Sequence, residues 1–307
     1  MIPYKTALCY LVVFALSLYA FSLLGQENKH YTGNYTIGDY TGHADFEYHI
    51  SDGDTIFDGS FLIKKVSLQE LSYGTDSSFV VSGKFTNNLP VKEWNLHFGR
   101  LKANNVELHD NHYEVSLDGL IHQASGNFLN GKMDGEWIHL FQRLKNSEVA
   151  ETLFKSVVDF NEGVPQQSFS IENDQLTLIG RFLRDGLAHD TWELFTEDYP
   201  EPEEKWIFNN GRLERIEVLK NNQFLSLPIY PSSFTNQQQI NLDEQYLTLI
   251  SLQHSDTFFI EPMSKLLSQN VKFYEKISDF LEKLGCPATL PEFKVTVPFY
   301  PLTDNEK

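Results

Sequence analysis

Apolar and polar residues alternate along short runs through the middle of this chain. Trp94-Asn95-Leu96-His97-Phe98 and Trp137-Ile138-His139-Leu140-Phe141 place every second residue on one face, the period of a strand with one buried side. Ser77 to Phe85 and His112 to Phe128 are rich in Val, Phe, Tyr and Leu with polar residues interspersed, and they predict further strands. Asp52-Gly53, Asn130-Gly131, Asp185-Gly186 and Asn210-Gly211 separate such runs. These residues accept positive φ at little steric cost, so each pair marks a hairpin turn. Over 147–160 two periods overlap. Val149, Leu153 and Val157 repeat as on a helix, whereas Phe154, Ser156, Val158 and Phe160 alternate as on a strand. Lys205-Trp206-Ile207-Phe208 before Asn209-Asn210-Gly211 has the strand form, and by that analogy 152–160 is read as a strand.

The pattern changes after about residue 220. Residues 221–241 are punctuated by Gln and Pro, and a strand is expected around Tyr246–Leu252. A helix then follows over 262–284. Pro262 stands at its first position, Met263, Leu266, Leu267, Tyr274, Ile277, Leu281 and Leu284 form one stripe, and Gly285 followed by Pro287 ends it. Such a helix runs about 34 Å. It is read as a cap over the open edge of the last strands, with a partner-docking helix as the alternative. Pro291 to Tyr300 predicts one more strand.

A phrase recurs through the strand region: Gly, any residue, an aromatic, then Trp about a dozen positions on. It reads Gly83-Lys84-Phe85 to Trp94, Gly126-Asn127-Phe128 to Trp137, and Gly180-Arg181-Phe182 to Trp192. Weaker copies are Gly33-Asn34-Tyr35 to Phe46, and Gly59-Ser60-Phe61. One small unit is therefore used several times, each copy needing its neighbour to bury its apolar face. Within a unit, Phe128 and Trp137 flank the turn and are placed to meet as a cross-strand aromatic pair. These residues resemble the MORN repeat, in the bacterial variant of exported and antitoxin-like proteins. Tyr31 to Phe46 and Gly126 to Trp137 match best, and the likeness spans roughly 31–215. Pro90, where a turn Gly is expected, and uneven spacing depart from it. The resemblance implies stacked antiparallel hairpins in an elongated, twisted sheet and a scaffold or binding role, and it brings no catalytic residues. The domain reading is 1–25 leader, 26–220 MORN-like hairpin repeats, and 221–307 a C-terminal capping region.

Composition agrees with a mainly β chain. Of 307 residues 14% are aromatic, with 24 Phe and 14 Tyr against 3 Met, a mix suited to pleated, half-buried surfaces. The formal net charge is −18, which excludes nucleic acid and anionic lipid as expected partners. Residues 1–25 stand apart: Lys5 is their one charged residue, and Thr6 to Leu24 is uncharged. Small residues near Ser22 and Gly25 suit cleavage, so the segment is read as a secretory signal that engages the export machinery, with a membrane anchor over 6–24 as the alternative. The chain is then periplasmic or extracellular. Loss of Cys9 would leave Cys286 alone, which rules out an intramolecular disulfide and a multi-cysteine metal site.

The search for chemistry finds little. Gly-x-Ser-x-Gly, a phosphate-cradling loop and His-Glu-x-x-His are all missing from the sequence. His109-Asp110-Asn111-His112 is the best metal-like cluster and lacks an evident third ligand, so a solvated turn explains it. Asp52-Gly53-Asp54 reads as a turn and Glu197 to Glu204 as an exposed acidic loop. No catalytic, cofactor or metal residue is assigned. Trp94, Trp137, Trp192 and Trp206 have two readings: inter-repeat packing, or an aromatic stripe on an open face that binds a ligand. The function expected is a non-enzymatic exported scaffold for a protein or envelope partner. A carbohydrate-active or hydrolytic enzyme with a carboxylate pair and an antitoxin-like inhibitor are the alternatives.

Overall fold

The computed structural model describes residues 28–65, 76–109, 112–197, 200–230, 236–254, 261–286 and 291–298. The expected leader over 1–25 lies outside them. Fourteen strands follow one another in chain order as one open antiparallel sheet, so that every connection is a hairpin. They are β1 (Lys29–Ile37), β2 (Tyr40–Ser51), β3 (Asp54–Lys65), β4 (Asp76–Thr86), β5 (Leu89–His109), β6 (His112–Leu129) and β7 (Lys132–Lys145), then β8 (Glu148–Asn161), β9 (Val164–Asn173), β10 (Leu176–Phe182), β11 (Ala188–Thr196), β12 (Glu204–Asn209), β13 (Arg212–Lys220) and β14 (Gln223–Pro228). Residues 152–160 lie in β8, where strand alternation prevails over the helical spacing. The sheet continues past residue 220 through β14, joined to β13 by a turn in which Asn221 and Asn222 both have positive φ.

Three of the four turn dipeptides put both residues at positive φ: Asp52 with Gly53, Asn130 with Gly131, and Asn210 with Gly211. At Asp185-Gly186 only the glycine does so, at φ 81°. Pro90 is not a turn residue. The β4–β5 turn is made by Asn87 and Asn88, both at positive φ, and Pro90 pairs with Phe85 in the return strand. Turns are tied to their neighbours, since the amides of Asn88, Gly131, Gly163 and Gly211 donate to the carbonyls of Phe57, Pro90, Met133 and Ala188 at 2.7–2.9 Å.

One register row crosses eleven strands and is buried throughout. It runs Ala44, Ile63, Val81, Leu96, Ala124, His139, Ser156, Ile171, Leu178, Leu194, Glu204. Residues two positions to either side share its face, by the pleat. The opposite face carries half-buried mixed positions such as Asn95, His97, Gln123 and Leu140.

The C-terminal region contains β15 (Gln237–Asn241), α1 (Glu244–His254), α2 (Glu261–Lys283) and β16 (Lys294–Pro298). The strand expected around Tyr246–Leu252 is instead α1. The Asp243 carboxylate accepts from the Tyr246 amide at 2.9 Å, capping the helix, and Tyr246, Leu247 and Ile250 turn inward. The strand expected in the tail is β16, which pairs with β15 in a second, two-stranded sheet.

The long helix α2 matches its sequence bounds, but its position corrects the edge-cap reading. It lies across the face of the sheet. Phe280 meets Tyr40 of β2 and Phe98 of β5 at ring distances of 5.4 and 5.9 Å. Phe273 meets Phe154 of β8 at 4.6 Å, and α2 also packs on β9 and β10. The lengths agree: 23 helical residues span about 34 Å, close to the seven strand spacings of about 4.8 Å from β2 to β9. At the sheet edge β14, Phe224 and Leu225 are exposed.

Candidate functional site

The four tryptophans are core residues, each 0% exposed. The aromatic-stripe reading is therefore corrected: none of the rings presents a face to a ligand. Their packing explains the recurring phrase. A Cβ on Gly83, Gly126 or Gly180 would sit 2.2, 2.3 or 2.6 Å from the ring of Trp94, Trp137 or Trp192, so the glycine makes room for the indole. The sheet register shifts at each of these glycines, as at a bulge, which bends the strand. Each indole Nε1 then donates to the carbonyl of the residue after the glycine: Lys84 at 3.2 Å, Asn127 at 2.8 Å, Arg181 at 3.1 Å. The aromatic of the phrase closes the unit edge-to-face at 5.0, 4.9 and 5.2 Å. Trp206 lacks a glycine partner and donates to Glu204 Oε1 at 2.5 Å.

Glu204 was expected in an exposed acidic loop, and its side chain is 2% exposed. It opens β12 opposite Leu194 and Val218, and its Oε2 has no hydrogen-bond partner. Burial pushes its carboxyl up to about 8, opposed by the Trp206 hydrogen bond. Asp198-Tyr199 of that segment lies outside the described residues. His109 and His112 close the β5–β6 hairpin as a register pair, and Asp110-Asn111 between them lies outside the described residues. Among the described residues no group of three or more His, Cys, Asp or Glu is arranged to hold a metal.

The feature that gathers chemistry is a cleft of about 650 Å³ beside α2, on the buried-row face. Its floor is Phe79, Phe98, Leu120 and Phe141. Ser78 and His122 line it, Lys65, Arg100 and Lys276 bring positive charge, and Asp39 lies at the β1–β2 turn. His122 stacks on Phe141 at 4.1 Å and meets Phe273 at 5.3 Å. Burial, helped by the Lys276 charge, lowers its imidazole to about 4, so it is neutral at pH 7. Lys276 Nζ sits 4.7 Å above the Phe98 ring, and desolvation lowers its ammonium. Ser78 Oγ and His122 Nδ1 are buried without hydrogen-bond partners. A smaller cleft of about 430 Å³ farther along the helix, lined also by Leu153, Gln269 and Phe273, shares His122, Phe141 and Lys276.

Sequence reasoning missed all of these residues because they come from six separate elements. One signal was available: counting back in twos from Gly126 gives Ala124, His122 and Leu120, and forward from Trp137 gives His139 and Phe141. Two histidines thus stand at inward positions of adjacent strands. No protein family, curated protein or solved structure matches the chain.

Proposed function

We propose that the chain is an exported, non-catalytic, MORN-like repeat scaffold that holds a protein or envelope partner on its open sheet face. The observation that supports it best is the sheet itself. Fourteen strands in strict chain order carry α2 across one face, from β2 to β10, and leave the other as a continuous surface of mixed side chains. Register rows there run Asn95–Ser125–Ile138–Val157 and His97–Gln123–Leu140–Lys155. Such a surface suits an extended contact more than a reaction, which needs convergent groups in a concave site. The described lining of the α2 cleft contributes one carboxylate, Asp39, where glycoside hydrolysis requires two.

The test places a photo-crosslinking residue at Asn95, Gln123 or Lys155 in the native host and compares it with the helix-side positions Arg100 and Gln269. One discrete adduct in the envelope fraction, obtained from the open-face positions alone, is the expected result. Adducts from the helix side alone, or turnover of a glycoside or ester substrate by the purified chain, would overturn the proposal.

A further inference from the structure

We propose that the cleft beside α2 binds a small organic carboxylate with an apolar body, such as a medium-chain acyl or aryl acid. The lining divides into two chemistries. Phe79, Phe98, Leu120 and Phe141 give an apolar floor, and the cavity of about 650 Å³ falls in the range of roughly 300–1,000 Å³ typical of small-molecule sites.

The charge is of the other kind. In a chain of net charge −18, the described lining of this cleft collects Arg100 and Lys276, with Lys65 at its rim, against one acid, Asp39. Asp39 is 96% exposed and lies 3.9 Å from Lys283, so it is already turned to another cation. Among the described residues neither Arg100 nor Lys276 forms an ion pair. Lys276 is instead held over an aromatic ring in a partly desolvated place, where an anion gains more than it would in water.

A second, independent observation points the same way. His122 lines the cleft against Phe141, and its Nδ1 is buried without a hydrogen-bond partner. A buried polar atom without a partner is costly. As an N–H it donates to a carboxylate oxygen, while the guanidinium of Arg100 offers a planar fork that fits the same group. The site is distinct from the open face and stands or falls separately from the scaffold reading.

Isothermal titration of the purified chain with decanoate, decanol and decylammonium tests this directly. Decanoate should bind more tightly than decanol by roughly tenfold to a hundredfold, the value of one or two charge-assisted hydrogen bonds, and decylammonium should bind least. Decanoate should also shift the His122 imidazole resonance in NMR spectra. Lys276→Met keeps the stem over Phe98 and should remove most of the preference for decanoate while leaving decanol unchanged. Arg100→Gln, at an exposed position, should lower the preference without affecting the fold and serves if the Lys276 variant unfolds. Equal affinity for decanoate and decanol would overturn the proposal. So would a preference that survives both substitutions, or binding that leaves the His122 signal unmoved.

Discussion

At the scale of single residues, the repeat is an arrangement of one glycine, one indole and one carbonyl. The ring of Trp137 occupies the space a side chain at position 126 would fill, and its N–H donates to the carbonyl of Asn127. Gly126→Ala should therefore destabilise as well as Trp137→Ala, the latter by roughly 3–5 kcal/mol for loss of a fully buried Trp. Urea unfolding midpoints measure both. An unchanged midpoint for Gly126→Ala would mean that the indole moves at no cost. Buried titratable groups add a pH dependence whose sign follows from their shifts. His139 and His122 are held neutral by burial, lowered from 6.5 to about 3 and about 4. The unfolded chain takes up those protons first, so stability falls as pH drops from about 6.5 towards 3. Glu204 acts in the opposite sense, raised from 4.5 to about 8. The native state keeps a proton that the unfolded chain releases, so its contribution is complete below 4.5 and is lost as pH rises to about 8. These groups together place maximum stability near pH 6.5, with an alkaline decline of at most about 1.4 kcal/mol per pH unit. Glu204→Gln should flatten that alkaline limb in thermal melts between pH 6.5 and 9 and leave the acid limb in place. A limb that persists in the variant would assign it to other groups.

At the scale of elements, long strands bend at their glycines and a helix covers the bend. Leu266 and Ile277 lie 1% and 3% exposed on the inner stripe of α2. Replacing both by Asp would bury two unpaired charges, detach the helix and bare an aromatic sheet face. Light scattering should then show aggregation, whereas a monomeric variant with an unchanged melting temperature would show that the helix is dispensable to the fold. The strand elements were legible because alternation, turn dipeptides and the recurring phrase all pointed the same way, as at Phe128 to Trp137. α1 was not. Leu249 and Leu252 are 48% and 75% exposed, and these outward leucines fill the gaps in the stripe of Tyr246, Leu247 and Ile250. The segment then looks uniformly apolar, as a buried strand does. The capping Asp243 was the signal that would have separated the two. The placement of α2 was also hidden. An apolar stripe states that a face is buried, but not whether it is buried against a sheet edge or across a sheet. The cleft residues were scattered for the same reason, since only strand register and the placement of α2 bring Phe98, His122 and Lys276 together.

At the scale of the molecule, α2 changes how a linear array behaves. In a repeat protein held by nearest neighbours alone, stability is a sum of local terms and damage stays local. Here one helix touches β2 and β5 through Phe280, β8 through Phe273, and β9 and β10 beyond them. It acts as a strut joining β2 and β5 to the paired strands β8, β9 and β10, with which neither β2 nor β5 pairs. The other end of the sheet is different: among the described residues β14 pairs with β13 alone and is mostly exposed, with the Lys205 ammonium 4.6 Å over the Phe224 ring. Hydrogen exchange should accordingly show β2–β9 opening as one unit of common protection, with β14 exchanging much sooner. Phe280→Ala removes contacts at one end of the strut and should lower protection evenly from β2 to β9. A loss confined to β2 and β5 would mean that the strands respond as independent neighbours and that the helix merely rests on them. An even loss would make the helix-covered block a single rigid body, in which the open face and the cleft keep their shape.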